Sequence, residues 1–497
     1  MARASSLFLL LVAYCVPLLV HGHAGASQVE VQFDLDPESK LQFDRYAASR
    51  SDRPLLDGRL ARLVDRKELE PRPLGGGSSR RQVLEPSTFN FGRGVGYRAT
   101  ADIPEDGELL SLPLDQVMSL SSAAKGRVGL LLEVNPDLPP SIALAVHVLE
   151  ERALGSASNY SAFLSTLPSM AQLNASMFYS QSELQELEGS QLLRYTQGRI
   201  QAVDSFFDAL VRPVTSREAV DPPLFKQDAF TLDHFRWAMG VVWACAFPIG
   251  HREEDVVLAP VLSTIGLCTE ETCPPPPRFE FDRIQQRLVV YATSPYAQGQ
   301  ELRLAMTPKP SAQLMLNHGF TRLQASSELD KLDVTVTMDP HDPLADVKGF
   351  LLQSTLNESV NASYSLKYDS PSLGDALSTS LKMKLLSGAE ISCYKELLTP
   401  STPESDRTIV SLRNEFVFTR AVVSTCRGLL AQYPTTLEED QQTLAQLVEQ
   451  GEADNTRQGQ LRRTLVLEKE ILRQTMRLAL EDWNALILSS HPNLQDI

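Results

Sequence analysis

His318 closes the stretch LRLAMTPKPSAQLMLNHGF, residues 302–320, and is followed by Gly319 and Phe320. The pattern predicts a strand, a loop with two prolines and a short helix that ends at this histidine. An imidazole titrates near neutral pH and can accept a proton or hydrogen-bond an amine. His318 is therefore a candidate catalytic residue. The alternative is a structural role at the end of the helix.

Other histidines and cysteines have the chemistry of metal ligands, but their surroundings argue against that role. His147 lies beside an apolar helical stripe, where a lone histidine is more often a hydrogen-bonded core residue than a ligand. His341 stands between two aspartates in MDPHDP (338–343), whose prolines indicate a connector. Cys268 and Cys273 are not the usual zinc pair, and the other pair of cysteines is far away in the sequence. The sequence thus predicts no metal site.

Length and charge limit the class of protein. The chain has 497 residues, 43% of them hydrophobic, which is enough for two or three folded domains. Its 62 acidic and 46 basic residues give a formal net charge of -16. This balance argues against a nucleic-acid partner, because nucleic-acid-binding proteins present a basic surface.

The first 26 residues have the order of a secretory signal peptide. Arg3 precedes an apolar run from Leu7 to Val20, and small residues up to Ala26 form the cleavage site. An uncleaved anchor is the alternative, but the run is short for a membrane span. We expect residues 1–26 to be removed, no membrane segment to remain, and the protein to be secreted or lumenal. A complex plastid reached through a signal peptide is the alternative destination.

The rest of the chain carries features of the secretory route. An oxidising compartment favours disulfides. A local bridge between Cys268 and Cys273 is plausible, and a bridge between Cys393 and Cys426 would contribute roughly 3–4 kcal/mol in the chain-entropy model. Cys245, in an apolar helical stretch, is expected to be a small buried side chain. The Asn-x-Ser sequons that are candidate glycan acceptors are Asn159, Asn174, Asn357 and Asn361.

The periodicity of the chain changes along its length. Residues 27–85 are a charged extension that ends in a Gly/Ser/Arg linker, and short strands with turn chemistry follow from Phe89. Residues 120–250 have helical periodicity, with Phe235, Met239, Val242 and Cys245 on one stripe. Strands return at RFEFD, RLVVYA and ELRLAM. Beyond about residue 335 the pattern predicts helices almost throughout, with capping boxes at YPTTLEED.

Four motifs in order resemble the SET-domain protein methyltransferases, in the branch of the Rubisco large-subunit lysine methyltransferase. The resemblance covers residues 88–488, most of the chain after the signal peptide. The matching stretches are GRGVGYRATADIPEDGELLSLP (92–113), FLSTLP (163–168) with FRWAMGVVWACAF (235–247), GQELRLAMTPKPSAQLMLNHGF (299–320), and YPTTLEED (433–440) followed by LEKEILRQTMRLAL (467–480).

The resemblance implies an α+β fold with two folded domains. A mostly-β, knotted SET core would occupy residues 86–325 and contain a helical insert at about 120–250. An all-α substrate-binding domain of the Rubisco LSMT kind would follow at 326–497. Residues 27–85 would be a variable N-terminal extension and linker.

The resemblance also implies a cofactor and a substrate. Gly92, Arg93 and Gly94 match the Gly-x-Gly stretch whose backbone approaches S-adenosylmethionine closely, which glycine permits because it has no Cβ. The target would be a lysine of a protein or peptide, and its neutral amine would attack the methyl group of the sulfonium. The protein contributes alignment and a polar shell.

This chain departs from the family at each part of that shell. The family's Ser-Arg-Ala-Phe-like run corresponds to residues 244–247 here, so the arginine is replaced by cysteine. The Asn-His pair is replaced by Gly266 and Leu267. The two tyrosines are replaced by Met306 and His318. Neither Met306 nor Leu267 offers a hydrogen-bond donor.

Two functions remain compatible with these residues. The departures favour a degenerate pseudo-methyltransferase that binds a protein or peptide in the secretory pathway, with no cofactor. The alternative is a divergent S-adenosylmethionine-dependent protein-lysine methyltransferase that uses Gly92 to Gly94 and His318. The oligomeric state does not follow from the sequence.

Overall fold

The structure is a computed structural model of the chain. It describes residues 29–33, 83–87, 96–217, 222–249, 256–268, 277–282, 284–305, 308–339, 341–398 and 409–490, together with residues 220 and 275. The signal peptide predicted at residues 1–26 lies outside the described residues. Among the described helices, none combines the length and the apolar character needed to cross a bilayer.

The strands lie mainly on either side of the helical insert. They are β1 Val29–Phe33, β2 Leu84–Ser87, β3 Gly96–Ala99, β4 Glu108–Pro113, β5 Phe247–Pro248, β6 Val256–Val257, β7 Gly266–Cys268, β8 Arg278–Asp282, β9 Arg287–Tyr291, β10 Glu301–Ala305, β11 Lys331–Met338 and β12 Asn361–Lys367.

The helices fall into an insert and a C-terminal group, joined by α9. They are α1 Leu120–Ala123, α2 Val128–Val134, α3 Pro140–Leu154, α4 Ser161–Leu164, α5 Gln181–Glu186, α6 Gln191–Phe206, α7 Arg212–Val214, α8 Leu232–Cys245, α9 Ser311–Asn317, α10 Ala345–Leu351, α11 Asp375–Lys384, α12 Leu412–Leu430, α13 Leu437–Glu449 and α14 Arg457–Ser490. A π-helical turn, Phe207–Val211, joins α6 to α7, and a second, Leu352–Leu356, follows α10.

The β-rich core consists of small sheets that share one hydrophobic centre. One sheet has the order β2-β3-β10-β7, a second has β4-β9-β8, and β5 pairs with β6. Most of the pairs are antiparallel, but β10 and β7 run parallel, with Leu304 opposite Leu267. Leu112, Leu288 and Leu302 are buried at the common centre. Because β10 and β7 are neighbours, segments distant in sequence meet at the end of one sheet.

The helical insert has a core of its own. On α8, Phe235, Met239, Val242 and Cys245 are all buried, which confirms the predicted stripe. This stripe packs against α3. Each fully buried side chain of this size contributes about 1.5–3 kcal/mol through the hydrophobic effect. The helices found between residues 120 and 245 confirm the periodicity, whereas the domain boundaries stay a prediction.

The expectation of an all-α C-terminal domain is wrong. Residues 331–338 form β11, which pairs antiparallel with β12 on one side and with β1 on the other. Along β11, Leu332, Val334, Val336 and Met338 are buried and alternate with half-buried or exposed residues. This two-residue period is that of a strand with one face on a core. The helices α11, α12 and α14 pack with this sheet in one hydrophobic cluster.

Helix α14 reaches the start of α6 and ties the C-terminal helices to the insert. The carboxylate of Glu468 accepts hydrogen bonds from the backbone N–H groups of Gln191 (3.3 Å) and Leu192 (3.1 Å) and from the hydroxyl of Tyr433 (2.9 Å). The first N–H groups of a helix have no partner within it, and a carboxylate satisfies them. Burial nevertheless raises the pKa of Glu468.

The predicted bridge between Cys393 and Cys426 is wrong. Both thiols are free. Cys393 is exposed on the 3₁₀ turn Ile391–Leu398, whereas Cys426 is only 2% exposed and points into the core shared by α12 and α14. A side chain buried in that core cannot reach a thiol on the surface. The side chain of Cys268 and the whole of Cys273 lie outside the described residues, so their bridge stays a prediction.

Candidate functional site

The elements that carry several positions of the expected cofactor shell are neighbours in the structure. Leu267 lies on β7, directly beside the end of β10. Helix α8, which carries Cys245, packs near α9 and near the 3₁₀ turn Leu262–Thr264, which precedes β7. His318 follows the last residue of α9. Gly92, Arg93, Gly94 and Met306 lie outside the described residues.

His318 is held at the C-terminal end of α9 by backbone geometry. Its N–H donates to the carbonyl of Leu314 at 2.7 Å, and its half-buried ring lies 5.7 Å from the ring of Phe320. The next residue, Gly319, has φ +77°, and a Cβ there would lie 2.0 Å from the carbonyl oxygen of Asn174. Only glycine fits this turn, so the position of His318 is fixed by contact with the insert.

Apolar side chains fill the places of the other shell residues. Cys245, at the position of the family's arginine, is 4% exposed inside the core of the insert, and Ala244 is 8% exposed. Leu267 is half-buried and packs against the β-rich core. A cation at residue 245 would lie in an apolar environment, where an unpaired charge is costly.

Arg199 is a residue of this region that the sequence analysis missed. It lies on α6 and is 3% exposed. Its Nη1 donates to Oδ1 of Asn317, the residue before His318, and its guanidinium lies 4.5 Å from the centre of the Trp243 ring. Leu192, Thr196 and Val203 share its buried helical face. An arginine on such a stripe is the signal that identifies it, because a buried charge is rare unless it is paired.

The predicted glycan acceptors differ in exposure. Asn357 and Asn361 are exposed, and Asn159 is half-buried. Asn174 is half-buried as well, and its Oδ1 accepts a hydrogen bond from Nε of Arg457 at 3.1 Å. This contact places Asn174 between the insert and the start of α14. Glycosylation stays a prediction at all of these positions.

Two open clefts lie on the helical insert. One, of about 630 Å³, is lined by residues of α3, α4 and α8, among them Glu151, Arg152, His234 and Trp237. The other, of about 590 Å³, lies between α8 and the first residue of α14, Arg457. The ring of Tyr179 forms part of its wall, and burial raises the pKa of this tyrosine. Neither cleft is lined by His318 or Leu267.

The comparisons with known proteins agree with this architecture. The family described as Rubisco LSMT substrate-binding matches residues 339–472. The Ribulose-1,5 bisphosphate carboxylase/oxygenase large subunit N-methyltransferase, chloroplastic, of Pisum sativum is 26% identical over 361 residues, which are 70% of each chain. The fructose-bisphosphate aldolase-lysine N-methyltransferase, chloroplastic, of Arabidopsis thaliana is 24% identical over 74% of this chain and 73% of its own.

A relative of another specificity and a solved structure extend the comparison. The actin-histidine N-methyltransferase of Homo sapiens is 23% identical over 71% of this chain and 59% of its own length. A solved structure of Rubisco LSMT bound to AdoMet superposes with a TM-score of 0.64 at 19% identity, over 90% of this chain and 93% of that chain. At this identity the superposition shows the fold. The chain thus carries a match to the Rubisco LSMT substrate-binding family at residues 339–472, and most of its length is similar to SET-domain protein methyltransferases of the Rubisco LSMT-like branch.

Proposed function

We propose that this protein is a pseudo-methyltransferase, a SET-fold protein that binds a protein or peptide and has lost methyl transfer. The observation that carries the proposal is the apolar character of the described cofactor shell. Cys245 lies in the core of the insert and Leu267 packs on the β-rich core. Methyl transfer needs a pre-organised polar shell around the shrinking positive charge of the sulfonium, and neither side chain supplies one.

The same chain retains the part that contacts protein substrates in its relatives. Residues 339–472 match the substrate-binding family, and the relatives are named for Rubisco, aldolase and actin. A protein or peptide is therefore the proposed partner. The proposal also includes a knotted SET core, because the family resemblance implies one.

Calorimetry with S-adenosylmethionine and S-adenosylhomocysteine tests the loss of the cofactor site. The titrations use the chain from residue 27 to residue 497. We expect no heat of binding from either ligand at millimolar concentration. Saturable binding in the micromolar range, about -8 kcal/mol, would refute the pseudoenzyme proposal. A matched titration with Rubisco LSMT of Pisum sativum serves as the positive control.

The second candidate function is a divergent protein methyltransferase, and Arg199 favours it. This buried guanidinium beside Asn317 and Trp243 supplies a positive charge close to His318. An arginine pairs well with a carboxylate such as that of S-adenosylmethionine. In this case His318→Gln is expected to lower the rate of methyl transfer to a protein substrate at least tenfold. His341→Gln, which changes an exposed histidine on a connector, should leave the rate unchanged.

The proposed location is the secretory pathway, secreted or lumenal. The signal-peptide pattern of residues 1–26 supports it. The complex plastid remains the alternative, and the chloroplastic relatives favour it. N-terminal sequencing of the mature protein separates the two. A chain that begins at Ser27 in the medium or the lumen supports the first, and a chain that begins beyond residue 45 in a plastid supports the second.

A further inference from the structure

Helix α3 presents three side chains with metal-binding chemistry on one buried face. His147, Glu150 and Glu151 are spaced i, i+3 and i+4, which places them next to one another on a helix. They are 0%, 8% and 0% exposed. Their nearest nitrogen and oxygen atoms all lie within 4.8 Å of one another. Two carboxylates and one imidazole thus share a site from which water is largely excluded.

The hydroxyl of Ser122 contacts the buried side of His147. Its oxygen lies 3.0 Å from Nε2 of His147 and 2.9 Å from the carbonyl oxygen of Ser119. When this hydroxyl donates to the carbonyl, its oxygen accepts the hydrogen of Nε2, and Nδ1 of the neutral imidazole carries a lone pair on the side of the carboxylates. The predicted role of His147 as a hydrogen-bonded core residue is confirmed for Nε2 only.

Each carboxylate is anchored through one oxygen and directs the other toward Nδ1. Oε1 of Glu150 accepts from the N–H of Arg127 at 2.7 Å, and Oε2 of Glu151 accepts from the hydroxyl of Ser158 at 2.7 Å. A Cβ on Gly126 would lie 2.5 Å from Oε2 of Glu150, so this carboxylate packs directly against the chain at Gly126. Anchoring by outer hydrogen bonds is the usual arrangement of metal ligands.

The distances inside the cluster leave room for a cation. Nδ1 of His147 lies 3.7 Å from Oε2 of Glu150 and 3.9 Å from Oε1 of Glu151, too far for hydrogen bonds. Among the described residues, Nδ1 of His147 and Oε2 of Glu150 have no hydrogen-bond partner. Two ligand atoms that each lie about 2.0–2.2 Å from one ion are separated by a distance of this size when the ligand–ion–ligand angle is wide. A divalent ion would also neutralise the two buried carboxylates.

We propose that His147, Glu150 and Glu151 bind one divalent transition-metal ion, with Zn²⁺ as the ligand to test. One imidazole and two carboxylates suit Zn²⁺ or Mn²⁺, and Zn²⁺ binds such donors more tightly. Glu151 also lines the cleft of about 630 Å³, so the cluster lies next to this cleft. None of these three residues belongs to the expected cofactor shell, so the proposal does not depend on methyl transfer.

The structural consequence is a cross-link inside the insert. The partners of the cluster come from the loop that contains Gly126 and Arg127 and from the turn that contains Ser158. A bound ion would hold both segments against α3. Because the ion binds the folded chain, its addition should raise the unfolding temperature of the protein.

The test is zinc binding by the full, tag-free chain after treatment with a chelator. Metal content and competition with a chromophoric chelator give the stoichiometry and affinity, and thermal unfolding gives the stabilisation. His147→Gln, Glu150→Gln and Glu151→Gln keep side-chain size or shape. Each should lower the zinc affinity by about 100-fold or more, since even the loss of an outer partner lowers affinity about 10–100-fold. The control is His234→Gln, which changes a histidine outside the cluster that lines the same cleft as Glu151.

The outcomes separate a built site from adventitious binding. One zinc ion per chain, lost in the three cluster variants and kept in His234→Gln, supports the proposal. Circular dichroism at 20 °C verifies that each variant is folded. Zinc binding that is absent, or equally strong in the cluster variants, overturns it. A proton on both ring nitrogens of His147 in the presence of one equivalent of zinc, seen by nitrogen NMR, overturns it as well.

Discussion

Replacement of Gly319 by alanine tests the contact that fixes the end of α9. Gly319 has φ +77°, and its Cα faces the backbone of Asn174 so closely that a Cβ would lie 2.0 Å from the carbonyl oxygen and 2.2 Å from the carbonyl carbon. Backbone atoms of the insert cannot rotate away as a flexible side chain can. Gly319→Ala must therefore strain its own backbone and push α9 away from the insert.

The expected cost has two parts. A residue with a Cβ in the left-handed region costs about 1–2 kcal/mol relative to glycine. Overpacking against a neighbour that cannot move costs about 1–3 kcal/mol more. The sum predicts that Gly319→Ala lowers the free energy of unfolding by about 2–5 kcal/mol, a large share of the typical stability of a domain.

Gly299 is the matched control for the backbone part. Its φ is +80°, but a Cβ there would have nothing within 4 Å. Gly299→Ala should cost only about 1–2 kcal/mol, the strain of the left-handed backbone. Urea unfolding followed by tryptophan fluorescence compares both variants with the wild type. Trp243 on α8, close to α9, is a suitable probe of the affected region.

The difference between the two variants isolates the contact with Asn174. We expect Gly319→Ala to be less stable than Gly299→Ala by about 1–3 kcal/mol. Equal losses in the two variants would refute the close approach of Gly319 to the insert. They would also remove the reason for the fixed position of His318.

The other predictions concern buried groups of the C-terminal part. Lys384 is fully buried, and burial lowers its pKa to about 8, against the opposing effect of Glu358. Above this pH the lysine is charged in the unfolded chain but neutral in the folded chain, so the unfolded chain binds more protons. The free energy of unfolding of the wild type, relative to that of Lys384→Met, should therefore rise by about 1 kcal/mol from pH 7 to pH 9. A difference that stays constant with pH in urea titrations would contradict this. Tyr433→Phe removes a donor to the buried carboxylate of Glu468 and should cost about 1.5–3 kcal/mol in the same assay, whereas an unchanged stability would show that the hydrogen bond is absent. A maleimide should modify exposed Cys393 in the native protein and Cys426 only after unfolding, because burial raises the pKa of Cys426 to about 12; mass spectrometry that finds the two joined would contradict the free thiols.

The local parts of the fold could be predicted from the sequence. The apolar stripe of α8 and the capping box of α13 each depend on residues within a few positions of one another. Thr436 and Glu439 form that box as predicted, with the N–H of Glu439 donating to Thr436 and the N–H of Thr436 donating to Glu439. Thr435 and Glu438 have the same spacing in the sequence, but the hydroxyl of Thr435 donates to Asp440 instead.

The features that the sequence analysis missed, strand β11 and the hydrogen bonds between distant residues, were missed for physical reasons. The residues of β11 alternate in the sequence, but a period of two over 8 residues is a short signal beside the longer helical patterns that follow it. The hydrogen bond between Arg199 and Asn317 joins residues 118 positions apart, and that between Glu468 and Gln191 spans 277 positions. No local pattern predicts such pairs, because the fold alone brings them together. The candidate site therefore became visible only in three dimensions.

The pairing of β1 with β11 has a consequence for the order in which the protein folds. Strand β1, Val29–Phe33, is synthesised before its partner β11, Lys331–Met338. At about 5–20 residues per second, the roughly 300 intervening residues take on the order of 15–60 s to appear. During that time β1 has no partner strand, and its edge must be protected by a chaperone or remain in solvent. Strand β1 can therefore take its place in the sheet only after residues 331–338 have been made.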